Sequence, residues 1–312
     1  MFSYLTKSLK SKTYQSFFMS YVVFGNNIKL GFYDSLSLNI SNELENRVDI
    51  VQLTDGNVLV SSSSSENSIL MRRPSFCPFA TLKSMNNSNL QPLKLQWIAV
   101  ASVVILQSND GLILLTKRAS HLRTFPNVWV AAGGHVDTNE DIEDAALREL
   151  LEETGLQFSR NDVDITLLCA WESAFPTILD LGMPKSHHLV LYFKVIIKEK
   201  DYNLEKLMVN VDEVQEYCWL DKNKVTAIVQ SFPDPLEMSF AKDINEEIVE
   251  SFESIQVKLV DSKLQHEKVL KPMSLLSSTV KDIRDITCIP ERVSTGTKYA
   301  LYEWLKSYKN SF

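Results

Sequence analysis

Between Gly134 and Leu156 the chain reads GHVDTNEDIEDAALRELLEETGL, and no other stretch limits its fold and chemistry so tightly. Gly134, Glu140, Arg148, Glu149, Leu150, Glu152, Glu153, Gly155 and Leu156 follow the spacing G-x5-E-x7-R-E-U-x-E-E-x-G-U, with U apolar. At about 100° per residue, Glu149, Glu152 and Glu153 share one face of an α-helix, while Leu147, Leu150 and Leu151 lie roughly 200° away. The expected helix thus has one anchoring face and one carboxylate face held outward. Thr138 suits its N-cap, Asp141 and Glu143 suit the positive end of its dipole, and Gly155 sits where a left-handed C-terminal cap belongs. Gly133 and Gly134 let the preceding loop double back and bring Glu140 toward the same acids.

Stacked like charges cost such a helix about 0.2–0.5 kcal/mol per pair. A hard divalent cation with oxygen ligands offsets that repulsion. A solvated acidic surface offsets it too, and three glutamates alone favour that plainer reading; the complete pattern with Gly, Glu, Arg and Gly at fixed distances reverses it.

The surrounding pattern alternates strands with helices. WIAVASVVIL, from Trp97 to Leu106, is β-branched and apolar throughout, as a strand buried on both faces should be. Asn109-Asp110-Gly111 turns it back into LILLTKR, and NVWVAA delivers the chain into the Gly133-Gly134 loop. After the acidic helix, strands are expected near 165–172, 188–197 and 214–219, then a helix near 221–231. Together these give an α/β fold with a mixed sheet between helices. Three regions follow: a β-rich segment over 1–90, a central domain over 91–235 ending near SFPDP, and an extension over 236–312 packed on it. In the first, VDIVQL and NVLVS flank the turn Asp55-Gly56, and Ser61 to Ser65 reads as a flexible connection. In the last, helices are expected near 243–252 and 297–307, the second with Ala300, Leu301, Trp304 and Leu305 on one docking face and Ser294 or Thr295 as its cap. Its start, STGTK, is mildly suggestive of anion binding; simple capping is the plainer reading.

Composition narrows the partners. A net charge of −7 argues against a broad electrostatic footprint on nucleic acid, so DNA is not expected and any RNA contact should be local. No run reaches the roughly 18 apolar residues of a membrane span. Cys77, Cys169, Cys218 and Cys288 form no C-x2-C pair, which suits a reducing compartment. Cys77 is read as lacking a neighbouring histidine or helix N-terminus, and so as a buried small hydrophobe. Lys7, Lys10, Lys12 and Lys29 precede any acid, a hint of a transit peptide. The absence of arginine before Arg47 and the strand-and-turn character of Tyr21 to Gly25 favour a cytoplasmic protein instead. The terminal Asn-Ser-Phe is not a peroxisomal address.

The spacing between Gly134 and Leu156 resembles the nudix box and matches it at every defining position. RPSFCPFA, WESAFPTILDLGMPKSHHLVLYF and ERVSTGTKYALYEWL extend the resemblance to the vertebrate-type nudix hydrolase seventeen family, assigned decapping of RNA bearing a 7-methylguanosine cap. One position departs: Ala132 stands where many nudix domains have proline. That loosens the loop's entry without removing a carboxylate.

What the resemblance implies is a nudix fold and hydrolysis of a pyrophosphate linkage with Mg²⁺ or Mn²⁺. By resemblance Glu149 and Glu153 are the metal ligands, Glu152 and Glu140 complete or support the site, and Arg148 orients the glutamates. Glu149, Glu152 and Arg148 are then the residues closest to the chemistry. A methylated guanine is positively charged, so Trp171, Phe175 and Tyr192 are candidate stacking partners, although Trp171 and Tyr192 serve equally well as core. Glu172 is a candidate general base or reader of the guanine edge. His187 and His188 are candidate phosphate contacts, of which strand alternation allows one to any given pocket. The expected products are 7-methyl-GDP and 5′-monophosphate RNA. The alternative substrate is a small nucleoside diphosphate conjugate such as coenzyme A or NADH, the latter disfavoured by the missing C-x2-C pair. A non-catalytic binding module would be expected to have lost at least one of these carboxylates, and all are present.

Overall fold

The computed structural model describes residues 20–24, 28–29, 32–85, 97–200, 202–204, 207–230, 254–260, 266–272 and 292–309. The N-terminal region supplies β1 (Val22–Phe24), β2 (Ile28–Lys29), β3 (Glu45–Gln52), β4 (Val58–Ser62), β5 (Ile69–Arg72) and the short helix α1 (Pro78–Ser84). The centre supplies β6 (Ala99–Gln107), β7 (Ile113–Arg118), β8 (Val128–Val130), β9 (Ala132–His135), α2 (Ile142–Thr154), β10 (Val163–Phe175), β11 (Ser186–Ile197), β12 (Val214–Leu220) and α3 (Lys222–Gln230). Beyond these lie β13 (Ser254–Val260), β14 (His266–Pro272), β15 (Arg292–Val293) and α4 (Thr295–Lys309).

The apolar run in β6 explains the layering. Its neighbours are β11, parallel, and β9, antiparallel, so both of its faces must be covered. Val100, Val104 and Leu106 pack with Ala145, Ala146, Leu147 and Leu150 of α2 on one face. Ile105 points the other way, into a core with Tyr299, Ala300, Leu301, Trp304 and Leu305 of α4 and Val225, Ile228 and Val229 of α3. Period-two alternation thus puts one mixed sheet between α2 and the pair α3 and α4. Each fully buried leucine or isoleucine in these layers contributes about 1.5–3 kcal/mol.

Hydrogen-bonded strands run in the order β14-β13-β12-β7-β6-β11-β10-β5-β3-β4-β1-β2, with β9 on β6, β8 on β7 and β15 on β8. The N-terminal strands extend the central sheet through the parallel pairing of β5 with β10, where Trp171 lies opposite Arg72. The C-terminal stretch, expected to be helical, also contributes the hairpin β13-β14 and the strand β15. The helix expected near 243–252, SFPDP and the lysine-rich start lie outside the described residues. No helix among the described residues is long and apolar enough to cross a membrane.

Several local expectations shift. Helix α2 starts at Ile142, not after Thr138, because the Asp141 side chain accepts hydrogen bonds from the N–H groups of Glu143 and Asp144 and caps the helix there. Gly155 does close it in the left-handed region, at φ 72°. Leu151 is 37% exposed rather than anchored, since it sits at the edge of the stripe made by Leu147 and Leu150. Ser61 and Ser62 belong to β4 and are no linker. Cys77 is buried, and desolvation pushes its thiol up to about 12.

Candidate active site

Arg148 organises the acidic end of α2. Its Nε donates to Glu140 Oε1 at 2.7 Å and its Nη2 to Glu140 Oε2 at 2.8 Å. Nη1 donates to Glu149 Oε1 at 2.7 Å and to Glu152 Oε2 at 3.4 Å, while Nη2 also reaches the His135 carbonyl at 2.9 Å. Gly133 and Gly134 are paired in β9 and not in a loop, but the turn that follows does return Glu140 to the carboxylates of the helix, and one guanidinium ties three of them together. Hydrogen bonds donated to Glu140 first, then to Glu149, hold Arg148 well above the usual arginine range against the opposing effect of burial. For Glu140, burial pushes upward, but the bonds from Arg148 and from the Asp137 N–H outweigh it and the carboxyl ends below its ordinary value.

Glu153 behaves differently. Three residues after Leu150 it lies only about 60° from the buried stripe, and it is 4% exposed instead of facing outward. Its Oε2 has no hydrogen-bond partner among the described residues. Burial pushes its carboxyl up to about 8; Arg118 pulls the other way, and the charges of Glu213 and Glu149 add to the rise. Glu149 is pushed up to about 7, again mainly by burial and against the pull of Arg148. Gly134 makes room for it, because a Cβ there would stand 2.4 Å from the Glu149 carboxyl carbon. Glu152 is the solvent-facing member, its side chain 55% exposed.

Among the described residues no three His, Cys, Asp or Glu side chains already converge as a metal cage. Arg148 occupies oxygens that a cation would otherwise take. The donor chemistry nevertheless fits a hard divalent ion: an orphaned buried carboxylate oxygen, a second raised carboxyl beside it, and oxygen donors throughout.

A cavity of about 740 Å³ opens from these carboxylates. Glu149, Glu152, Glu153, Gly134 and His135 line it together with Trp171, Tyr192, Phe125, Arg292 and the start of α4. The aromatic candidates separate. Trp171 and Tyr192 reach the cavity, although both are largely buried, and Trp171 leans on Tyr299 with ring centroids 5.6 Å apart. Phe175 stands behind Phe125 in an edge contact at 5.0 Å.

The tandem histidines face opposite ways, as alternation requires. His188 lines the cavity with its Nε2 2.9 Å from Nε2 of His135, and burial drives its pKa down to about 3. His187 is buried between Phe79, stacked at 3.7 Å, and the Phe32 carbonyl, 2.7 Å from Nδ1. Its Nε2 meets Glu172 Oε1 at 3.1 Å. The oxygens of Glu172 also accept from the N–H groups of Leu36 and Ser37 and from the Ser35 hydroxyl, at 2.7–3.1 Å.

Arg118, Glu213, Phe125 and Arg292 line the cavity without having been singled out from the sequence. No spacing rule joins them. The antiparallel register of β7 and β12, Val214 opposite Arg118, is what sets Arg118 and Glu213 beside the acidic helix.

A model of the NUDIX domain matches residues 97–239. The m7GpppN-mRNA hydrolase NUDT17 of Danio rerio is 38% identical over 251 residues, spanning 78% of this chain and 79% of the relative. This chain belongs to the nudix hydrolase family. The NUDT17 of Homo sapiens, named in the same way, is 35% identical over 239 residues, 76% of this chain and 70% of the relative. Among solved structures, a MutT/nudix family protein from Enterococcus faecalis matches at 15% identity with a TM-score of 0.36, covering 74% of this chain and 69% of that one. Nudix hydrolases use divalent metal ions, and the oxygen-rich acidic end of α2 in this nudix hydrolase suits them.

Proposed function

We propose that this chain is a metal-dependent pyrophosphohydrolase that decaps RNA, releasing 7-methyl-GDP and a 5′-monophosphate RNA. The reading is carried by one observation: a single cavity joins the carboxylates of α2 to the aromatic wall of Trp171 and Tyr192. The likeness to relatives named m7GpppN-mRNA hydrolase, over more than three quarters of the chain, supports it.

Glu149 and Glu153 are the proposed ligands of Mg²⁺ or Mn²⁺, with Glu152 and Glu140 completing the set. Bound divalent ions would supply neutralisation of phosphate charge and a water of lowered pKa for in-line attack on phosphorus. Arg148 keeps Glu140, Glu149 and Glu152 in register, so its part is positioning. Trp171 and Tyr192 offer faces to a cationic methylated base, with Phe175 supporting Phe125 behind them. His188, neutral at physiological pH, offers a ring nitrogen to phosphate. Glu172 is committed to the 35–37 loop and to His187, and we assign it the placement of that loop rather than proton transfer.

A panel of capped RNA, free dinucleotide cap, coenzyme A and NADH tests the reading. Capped RNA should give the highest kcat/KM and 7-methyl-GDP as product. Faster cleavage of coenzyme A or NADH would replace it with hydrolysis of a small nucleoside diphosphate conjugate.

A further inference from the structure

The wall of the cavity carries a charge that the hydrolytic site does not use. Arg292 opens β15, fixed by parallel pairing of Arg292 with Val128 and of Val293 with Trp129. It is 3% exposed and lines the cavity. Its Nε has no hydrogen-bond partner among the described residues, and Nη1 makes only a 3.4 Å contact with the Val293 carbonyl. Among the described residues no acid offsets it, and burial lowers its pKa to about 10. A buried cation is ordinarily paired, because desolvating it alone is costly. An arginine left open at a cavity wall is a receptor awaiting an anion.

The next residues point the same way. Thr295 begins the 15-residue helix α4, whose first-turn N–H groups have no partner within the helix. The Ser294 hydroxyl accepts the Thr297 N–H at 3.2 Å. Thr295 and Gly296 line the cavity beside it. A Cβ on Gly296 would stand 2.8 Å from the Tyr192 hydroxyl and 2.9 Å from Trp171 Cδ1, so glycine is what lets this turn lie against the aromatic wall. A helix N-terminus with a forked guanidinium beside it is a donor set suited to phosphate.

We propose that Arg292 and the first turn of α4 form a second anion subsite, taking a phosphate group of the substrate other than the one attacked at the α2 carboxylates. That the phosphate belongs to the substrate rests on the hydrolase reading; the subsite itself does not. Two sources share this chemistry: a backbone phosphate of the RNA beyond the cap, or a phosphate carried by the cap itself.

Inorganic phosphate is the probe, titrated calorimetrically into the full chain in excess EDTA so that no metal-held phosphate contributes. Wild type should bind it, and Glu153→Gln should bind it equally well. Arg292→Met should weaken binding about tenfold or more, the worth of a charge-assisted bond, and Arg292→Lys should restore part of it. Thr295→Asp places a carboxylate at the helix start, where the dipole tolerates it, and should weaken phosphate similarly even if Arg292→Met does not fold. Failure of wild type to bind, or unchanged binding in the variants, overturns the subsite. In turnover, Arg292→Met should raise KM. A rise for capped RNA alone assigns the backbone phosphate, a rise for the dinucleotide cap as well assigns a cap phosphate, and no rise for either removes the link to substrate. If no substrate is cleaved while phosphate binding still depends on Arg292, the hydrolase reading fails and the subsite stands.

Discussion

Two arginines stand in opposite electrostatic conditions: Arg148 holds carboxylates that line the cavity, and Arg292 lines the cavity itself. Arg148 is saturated: three glutamates and a backbone carbonyl take its donors. Arg292 is more deeply buried and has no carboxylate partner among the described residues. The first holds together the anions proposed to take a cation; the second is itself a cation, proposed to take an anion. The nudix chain thus lines one cavity with negative side chains from α2 and with the positive charge of Arg292 beside the start of α4.

The largest expected contrast comes from replacing each arginine by methionine without metal or phosphate present. Arg148→Met leaves Glu140, Glu149 and Glu152 repelling one another and should lower Tm, with turnover falling about 10–100-fold as supporting contacts to metal ligands typically do. Arg292→Met removes an uncompensated buried charge and should leave Tm unchanged or raise it. Thermal denaturation in EDTA reads both. A large loss of Tm in Arg292→Met would mean that its guanidinium has a structural partner, and would dissolve the comparison.

A smaller effect sharpens the acidic end alone. The carboxyls of Glu149 and Glu153, ordinarily near 4.5, stand at about 7 and about 8 when folded. Groups whose folded pKa is raised add stability below the unfolded value and lose it as pH rises through the folded one. His188 and His135, with lowered pKa values, act in the opposite sense below pH 6.5. Between pH 6.5 and 8 the glutamates therefore set the slope, and Tm in EDTA should fall as pH rises. Mg²⁺ should reverse the fall at pH 8, and the double variant Glu149→Gln, Glu153→Gln should flatten it. A Tm that rises across this window in EDTA would refute the raised carboxyls.

What was legible in the sequence follows the same division. Local periodicity exposed β6, the amphipathic α2 and the docking face of α4, because each is a pattern within one element. It misplaced the start of α2, since both Thr138 and Asp141 are chemically fit to cap and only the path of the loop decides between them. It set Glu153 outward with its neighbours because spacing alone ignores how far the buried stripe spreads around the helix. The commitments of Glu172 and His187 were beyond reach, because their partners, Phe32 and residues 35–37, are more than 130 positions away in the chain. Arg292 lies within ERVSTGTKYALYEWL, but nothing in that motif singled it out. What marks it is its place in the cavity wall without a carboxylate partner among the described residues, and a local sequence pattern does not report that.

Calorimetric titration of Mn²⁺ into wild type and Glu153→Gln tests most directly whether the α2 carboxylates are the metal site. Wild type should bind, and Glu153→Gln should bind at least about tenfold more weakly while melting no lower than wild type, since it loses only a buried carboxylate with an orphaned oxygen. Equal affinity in the two proteins, or no binding to wild type, would place the chemistry elsewhere.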